Sequence, residues 1–150
     1  MTPSLFLHVL SVVVWVGGMF FAYMTLRPVA ASVLEPPLRL TLWAGVFDKF
    51  FPWVWTSVVL ILLSGLHMFM AMGGVDAPHY TRTMLVLGVI MMLIFGHVFF
   101  SPYRKLKRAV ADQDWPAGGV ALAQIRKLIG VNLVLGLVII AVVFAGRGMA

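Results

Sequence analysis

Three of the four histidines lie inside long apolar stretches of the chain. His8 occurs in SLFLHVLSVVVWVGG, His67 in ILLSGLHMFMAM and His97 in LIFGHVFF. A polar group buried without a hydrogen-bond partner costs roughly 2 kcal/mol or more, so an imidazole in an apolar helix indicates a partner or a ligand. These three residues are therefore candidates for binding a metal or a cofactor.

Methionines next to His67 suggest which metal this would be. The run HMFMAM places three thioethers beside His67, and His79 follows in the next segment. On a helix, Met68 and Met72 share a face near His67, whereas Met70 points away. Thioether sulfur together with imidazole suits Cu(I), although methionine also packs irregular gaps in ordinary helices. The predicted copper ligands are His8, His67, Met68, Met72 and His79.

A haem b held between two imidazoles is an alternative use of the same histidines. Small and aromatic residues follow His8 at steps of three and four, which places them in one stripe along a helix. Such a stripe could line a porphyrin, or it could serve ordinary close packing of helices. The predicted cofactor-binding residues are His8, His67, Trp15, Ser11, Gly18, His97 and Asn132.

Composition identifies an integral membrane protein. Of the 150 residues, 62% are hydrophobic and 11% are charged, whereas a soluble domain has about 25% charged residues. The lipid bilayer is therefore a predicted partner. The net charge of +6 indicates orientation in the membrane, not nucleic-acid binding. The absence of cysteine excludes disulfides, thiolate zinc sites and iron–sulfur ligation by this chain.

Four apolar runs are long enough to cross a bilayer. They cover residues 4–26, 50–72, 83–100 and 128–145. We predict an all-α integral membrane protein, a four-transmembrane-helix bundle in one domain over residues 1–150. Pro37 suits a first helical position, which favours a short interfacial helix from Leu38 to Phe51 before span two, with a kink or break at Pro52. A simple extension of span two is equally open.

Charge asymmetry predicts the orientation. Basic residues follow spans one and three, and the opposite side has only Arg82 and Arg147. The positive-inside rule predicts a multi-pass protein of the bacterial inner membrane with both termini periplasmic. His8 and His67 then share an outer layer, and His97 shares an inner layer with Asn132. The basic residues are Arg27, Arg39, Lys49, Arg104, Lys105, Lys107, Arg108, Arg126 and Lys127.

Hydrolytic and phosphoryl-transfer chemistry have no support. The spans contain no carboxylate, and the chain has no nucleophile with a nearby base and no glycine-rich phosphate loop. The sequence leaves open whether the protein is an enzyme and favours that it is not.

Several motifs resemble those of the CopD-type copper-resistance membrane family. They are Leu7, His8, Trp15, Gly17 and Gly18 in span one, SGLHM in span two, GHVFFSPYRKLKRAV at the end of span three, and RKLIGVNLVLGL entering span four. The resemblance implies copper uptake, transport or resistance. A homodimer and a periplasmic copper-binding protein are the protein partners that this interpretation allows.

The chain is also similar, more distantly, to the four-helix, haem-b protoporphyrinogen oxidases. It differs from them in that Leu133 follows Asn132 and Arg82 opens span three, where the oxidases have a glutamate and a lysine. The leading prediction is thus an inner-membrane copper-handling protein with an outer-leaflet histidine site. A haem-b-binding redox protein and a non-catalytic accessory subunit are the alternatives. The positions that match the oxidases are His8, Trp15, Gly18, His97, Arg126 and Asn132.

Overall fold

The computed structural model of the chain describes residues 2–149, which are helical almost throughout and contain no strand. Four of its helical stretches are long and apolar enough to cross a membrane, so the predicted all-α membrane bundle is confirmed. The elements are α1 (Thr2–Phe20), a π-helical segment (Phe21–Leu26), α2 (Arg27–Val33), α3 (Pro36–Ala71), a 3₁₀ turn (Gly74–Asp76), α4 (His79–Phe100), α5 (Pro102–Ala111) and α6 (Trp115–Met149).

The bundle is built from two extensively packed helix pairs. Helix α1 packs on α3, and α4 packs on α6, with α5 also lying against α6. We call the end that carries the start of α1, the 3₁₀ turn and the end of α6 the terminal end. The opposite end, which carries α2, α5 and the starts of α3 and α6, is called the basic end because most basic residues lie towards it.

The prediction of a separate interfacial helix from Leu38 to Phe51 is wrong. These residues form the first part of α3, which continues through Pro52 without a break. The proline removes one backbone hydrogen bond, to the carbonyl of Asp48. Ending the helix there would expose up to four N–H and four C=O groups, and in lipid each such group costs several kcal/mol. Continuing the helix is therefore the cheaper solution, and the alternative of an extended span two is the one observed.

A short amphipathic helix is present instead after span three. In α5 the side chains of Tyr103 and Leu106 are buried, whereas Arg104 and Lys105 are exposed. The Tyr103 hydroxyl donates a hydrogen bond to Oδ1 of Asp48 on α3, at 2.8 Å. This hydrogen bond attaches α5 to α3 at the basic end.

An aromatic cluster joins α3, α4 and α5 in the middle of the molecule. The rings of Phe47 and Phe51 stack with their centroids 4.9 Å apart. Phe51 meets Tyr103 edge-on at 4.8 Å. Trp15 of α1 reaches the same cluster through a T-shaped contact with Phe95, at 6.2 Å. Edge-to-face pairs of this kind add about 0.5–1.5 kcal/mol each beyond simple burial, so the cluster holds the helices in one relative orientation.

Close approach between α6 and α1 generates the first prediction. A Cβ atom at Gly136 would lie 3.0 Å from Cγ2 of Val16 and 3.4 Å from Cε of Met91. Val16 is β-branched and has little rotamer freedom in a helix. We expect Gly136→Leu to lower the free energy of unfolding by about 1–3 kcal/mol through overpacking, measured by thermal or denaturant unfolding in detergent.

The matched control is Gly17→Leu, because a Cβ at that exposed position meets no other atom within 4 Å. It should leave the free energy of unfolding unchanged or raise it slightly. Equal destabilisation by the two substitutions would contradict the packing described for α6 against α1.

Candidate functional site

Two histidine–serine pairs connect α1 and α3 at the terminal end. Nδ1 of His8 lies 3.2 Å from Oγ of Ser64, and Oγ of Ser4 lies 2.8 Å from Nδ1 of His67. Each pair takes one residue from each helix. His8 and His67 therefore lie at the same end of one helix interface, each in contact with a serine of the other helix.

The hydrogen bonds of Ser64 determine which nitrogen of His8 carries the proton. The hydroxyl of Ser64 donates to the carbonyl oxygen of Leu60 in its own helix. Its oxygen is then the acceptor towards His8, so the N–H of His8 is on Nδ1. Nε2 of the neutral ring consequently presents a lone pair. This is the arrangement found in metal-binding histidines, whose second ring nitrogen is held by a hydrogen bond.

Methionine side chains continue the serine face of α3 towards the terminal end. Met68 lies one helical turn beyond Ser64 on the same face and is only 7% exposed. Met72 follows one turn later and is half-buried, whereas Met70 is 72% exposed and points away. His67 itself is exposed, and it lies about 6 Å along the helix from Ala71, the last residue of α3.

His79 has different surroundings from the other predicted copper ligands. It is exposed at the first turn of α4, with its Nδ1 3.4 Å from Nη2 of Arg82. Among residues 2–149, no group of three or more His, Asp or Glu side chains lies close enough to hold a metal ion. A copper ion bound near His8 and His67 would therefore need thioether ligands to complete its coordination.

The stripe predicted to line a porphyrin is occupied by helix packing. Ser11 and Trp15 are 4% and 3% exposed, and the indole of Trp15 meets the ring of Phe95. Gly18 faces the ring of Phe50, which occupies the space that a Cβ atom would need. These three residues let α1 approach its neighbours closely.

The predicted inner-layer residues do not form a hydrogen-bonded pair. Asn132 is 3% exposed, and its Nδ2 donates to the carbonyl oxygen of Met91 in α4, at 3.1 Å. Its Oδ1 is buried without a partner among the described residues. His97 lies six residues after Met91 and is exposed. Asn132 thus bonds to the α4 backbone, and His97 faces away from the bundle.

Sequence reasoning missed a cavity of about 220 Å³ at the basic end. It lies between the π-helical segment, the start of α3 and the start of α6, and it is lined by three arginines and several aromatic rings. The sequence identifies Arg27 and Arg39 only as charges that set orientation, and Arg126 also through the oxidase resemblance. The signal in the sequence was weak because the lining residues are far apart along the chain. The polar and aromatic lining residues are Tyr23, Arg27, Arg39, Trp43, Phe47, Trp115 and Arg126.

Comparison with known proteins gives one match. A family model described as copper resistance protein D (CopD) matches residues 44–145. The matched part includes His67, Met68 and Asn132, whereas His8 and the rest of α1 precede it. No curated protein and no solved structure matches the chain.

The unpartnered Oδ1 of Asn132 generates the second prediction. Met91 lies inside α4, so its carbonyl oxygen still accepts a helical hydrogen bond when the Asn132 side chain is replaced, and no acceptor is left unsatisfied. We expect Asn132→Leu to leave the free energy of unfolding unchanged or raise it by about 1 kcal/mol. Asn132→Ala, which leaves a cavity, should lower it by about 2 kcal/mol. Loss of stability in the leucine variant would mean that Oδ1 has a partner in the folded protein.

Proposed function

We propose a copper-handling function for this chain, which belongs to the copper resistance protein D (CopD) family. Four helices able to span a membrane and this family together describe a copper resistance membrane protein. The finer proposal is that Cu(I) binds at the terminal end of the bundle, between α1 and α3, as cargo.

The observation that carries the proposal is the hydrogen bonding of His8. Because the Ser64 hydroxyl is committed to the carbonyl of Leu60, His8 presents Nε2 as a lone-pair donor. A metal can bind this nitrogen without first displacing a proton. The serine also holds the orientation of the imidazole plane, which reduces the entropy lost when a metal binds.

The remaining donors near His8 suit a soft monovalent ion. His67 contributes a second imidazole from the same interface, and Met68 contributes a thioether from the buried face of α3. Imidazole and thioether together suit Cu(I), whereas calcium and magnesium require oxygen ligands. Apart from the distant Asp48, the described parts of α1 and α3 contain no carboxylate, so this site does not suit hard divalent ions.

The exposure of His67 and the burial of His8 suggest an order of events. His67 is accessible at the end of α3, so it would receive copper first. His8, which is half-buried and hydrogen-bonded to Ser64, would then complete the coordination together with a methionine. In the inner-membrane orientation with both termini periplasmic, this entrance faces the periplasm, where a copper-binding protein could deliver the ion. A homodimer would place two such entrances on the same membrane face.

Histidine substitutions give the third prediction. Removing either imidazole deletes one ligand, so His8→Ala and His67→Ala should each weaken Cu(I) binding at least tenfold, about 1.4 kcal/mol. Binding would be measured by competition with a chromophoric Cu(I) chelator in detergent. His97→Ala is the matched control, because His97 is an exposed histidine of α4 near the basic end.

Three results would contradict this assignment. Equal weakening by His97→Ala would mean that copper binds histidines without selection. A Soret band in the purified protein that disappears in His8→Ala would show that the site binds haem b and not copper. Unchanged copper binding in all three variants would favour an accessory subunit without a metal site.

Serine substitution gives the fourth prediction and tests the orientation of His8. Loss of an outer hydrogen-bond partner of a ligating histidine lowers metal affinity by about 10–100-fold. We therefore expect Ser64→Ala to weaken Cu(I) binding by this factor although it removes no ligand. The control is Ser57→Ala, which replaces a buried serine two turns away on α3 and should leave the affinity unchanged. Equal affinities for Ser64→Ala and the wild type would show that Ser64 does not orient the ligand.

A further inference from the structure

We propose that the cavity at the basic end binds the phosphate group of an anionic phospholipid whose acyl chains remain in the surrounding bilayer. The cavity is separate from the proposed copper site, which lies at the opposite end of the bundle. Arginine side chains, apolar walls and position along the spans support this proposal.

Positive charge without compensation is the first feature of the cavity. Arg27, Arg39 and Arg126 line it, and none of its lining residues is acidic. The ion pair between Lys107 and Asp48, 3.3 Å apart, is the one found in the described part of the chain and does not involve these arginines. Three guanidinium groups around one small space repel each other, and an anion between them would remove that repulsion.

The existing hydrogen bonds of the arginines leave donors for such an anion. Nη2 of Arg39 donates to the carbonyl oxygens of Ala31 and Leu34, at 3.3 and 3.1 Å, while its Nε is buried and has no partner in the described part of the chain. Nε of Arg27 donates to the carbonyl oxygen of Tyr23 at 3.3 Å. The guanidinium of Arg27 lies over the Tyr23 ring, 4.6 Å from the centroid. Both arginines are therefore held in place with N–H groups still available, and guanidinium groups bind phosphate in paired hydrogen bonds.

The rest of the lining is apolar, which favours an amphiphile over a free anion. Trp43, Leu122 and Ile129 form part of the walls. The cavity volume of about 220 Å³ leaves space for a headgroup phosphate beside the arginines. The chains of a phospholipid would remain outside, against the exposed apolar surface of the spans.

The positions of the three arginines along the helices favour a membrane lipid as the source of the phosphate. Arg27 follows the first span and Arg39 lies in the first turns of α3. Arg126 precedes the most apolar part of α6. Basic residues at the ends of spans lie at headgroup depth, and basic pockets between spans bind anionic headgroups. A phospholipid reaches such a position by lateral diffusion within the bilayer.

The backbone of the π-helical segment also supports a binding site here. The helix widens into its π-helical segment at Phe21–Leu26, and this segment supplies Ala22 and Tyr23 to the cavity wall. Tyr23 fits there because Gly130 lies opposite, where a Cβ would come within 3.0 Å of the Tyr23 ring. Single-turn π segments within α-helices occur frequently at functional sites.

The test measures lipid binding by native mass spectrometry of the full chain in detergent. The protein is titrated with dioleoyl phosphatidylglycerol or with dioleoyl phosphatidylcholine. We expect preference for phosphatidylglycerol, and we expect the triple variant Arg27→Gln, Arg39→Gln, Arg126→Gln to weaken its binding at least about tenfold. The matched control is Arg104→Gln, Lys105→Gln, Arg108→Gln, which removes the same charge from the exposed face of α5 and should retain the preference.

A second variant tests the cavity without altering charge. Gly119 lines the cavity, and a Cβ there meets no atom within 4 Å, so Gly119→Phe should fold and obstruct the site. We expect it to weaken phosphatidylglycerol binding as the triple variant does. Equal loss in the α5 control, full binding in Gly119→Phe, or equal binding of the two lipids would overturn the proposal. Displacement of the lipid by excess inorganic phosphate would assign the cavity to a soluble anion instead.

Discussion

The antiparallel packing of α1 against α3 determines where the polar side chains of the terminal end can meet. Ser4 lies opposite His67, and His8 lies opposite Ser64. A shift of one residue along either helix would rotate its side chains by about 100° and separate both pairs. The close contact of Gly18 with Phe50, further along the same interface, opposes such a shift. Packing between apolar and small residues thus maintains the orientation of the histidines.

The two ends of the bundle differ in the ions that they can attract. The terminal end offers imidazole, hydroxyl and thioether groups, whereas the cavity at the basic end carries three guanidinium groups. Between them lie the aromatic cluster and Asn132, whose Oδ1 is a buried acceptor without a partner among the described residues. A copper ion leaving His8 towards the basic end would meet few ligands and then a field of like charge. If copper binds at His8 as proposed, this arrangement favours capture and exchange at one end of the bundle over conduction through a single copy of the chain.

The sequence predicted some of these features because they depend on local properties. Apolar length alone identified the four spans, and helical periodicity identified the stripe that begins at His8. The depth of His8 and His67 followed from counting residues along helices of opposite direction. The partners Ser4 and Ser64 could not be predicted in the same way, because a contact between helices depends on their rotation and on which helices are neighbours.

The incorrect prediction at Pro52 has a similar physical cause. Proline is a strong signal for a break in water, where exposed backbone groups bind solvent. In the described structure, α3 continues through Pro52, because Phe51 directly before the proline and Val54 two residues after it are both buried in the hydrophobic core. The sequence did not predict the cavity, for a different reason. The three arginines of the cavity, Arg27, Arg39 and Arg126, come from three separate elements. Each of them, taken alone, indicates only a charge that sets the orientation in the membrane.

The π-helical segment connects the geometry of the terminal end with that of the cavity. A regular α-helix through Phe21–Leu26 would point the residues after it in a different direction, since each extra residue per turn changes the phase of the helix. The wider turn keeps Trp15 and Gly18 on the face towards α3 and α4 while it brings Tyr23 and Arg27 to the cavity. The continuous helical stretch from α1 through the π-helical segment into α2 can therefore satisfy two packing requirements that a uniform helix would place in conflict.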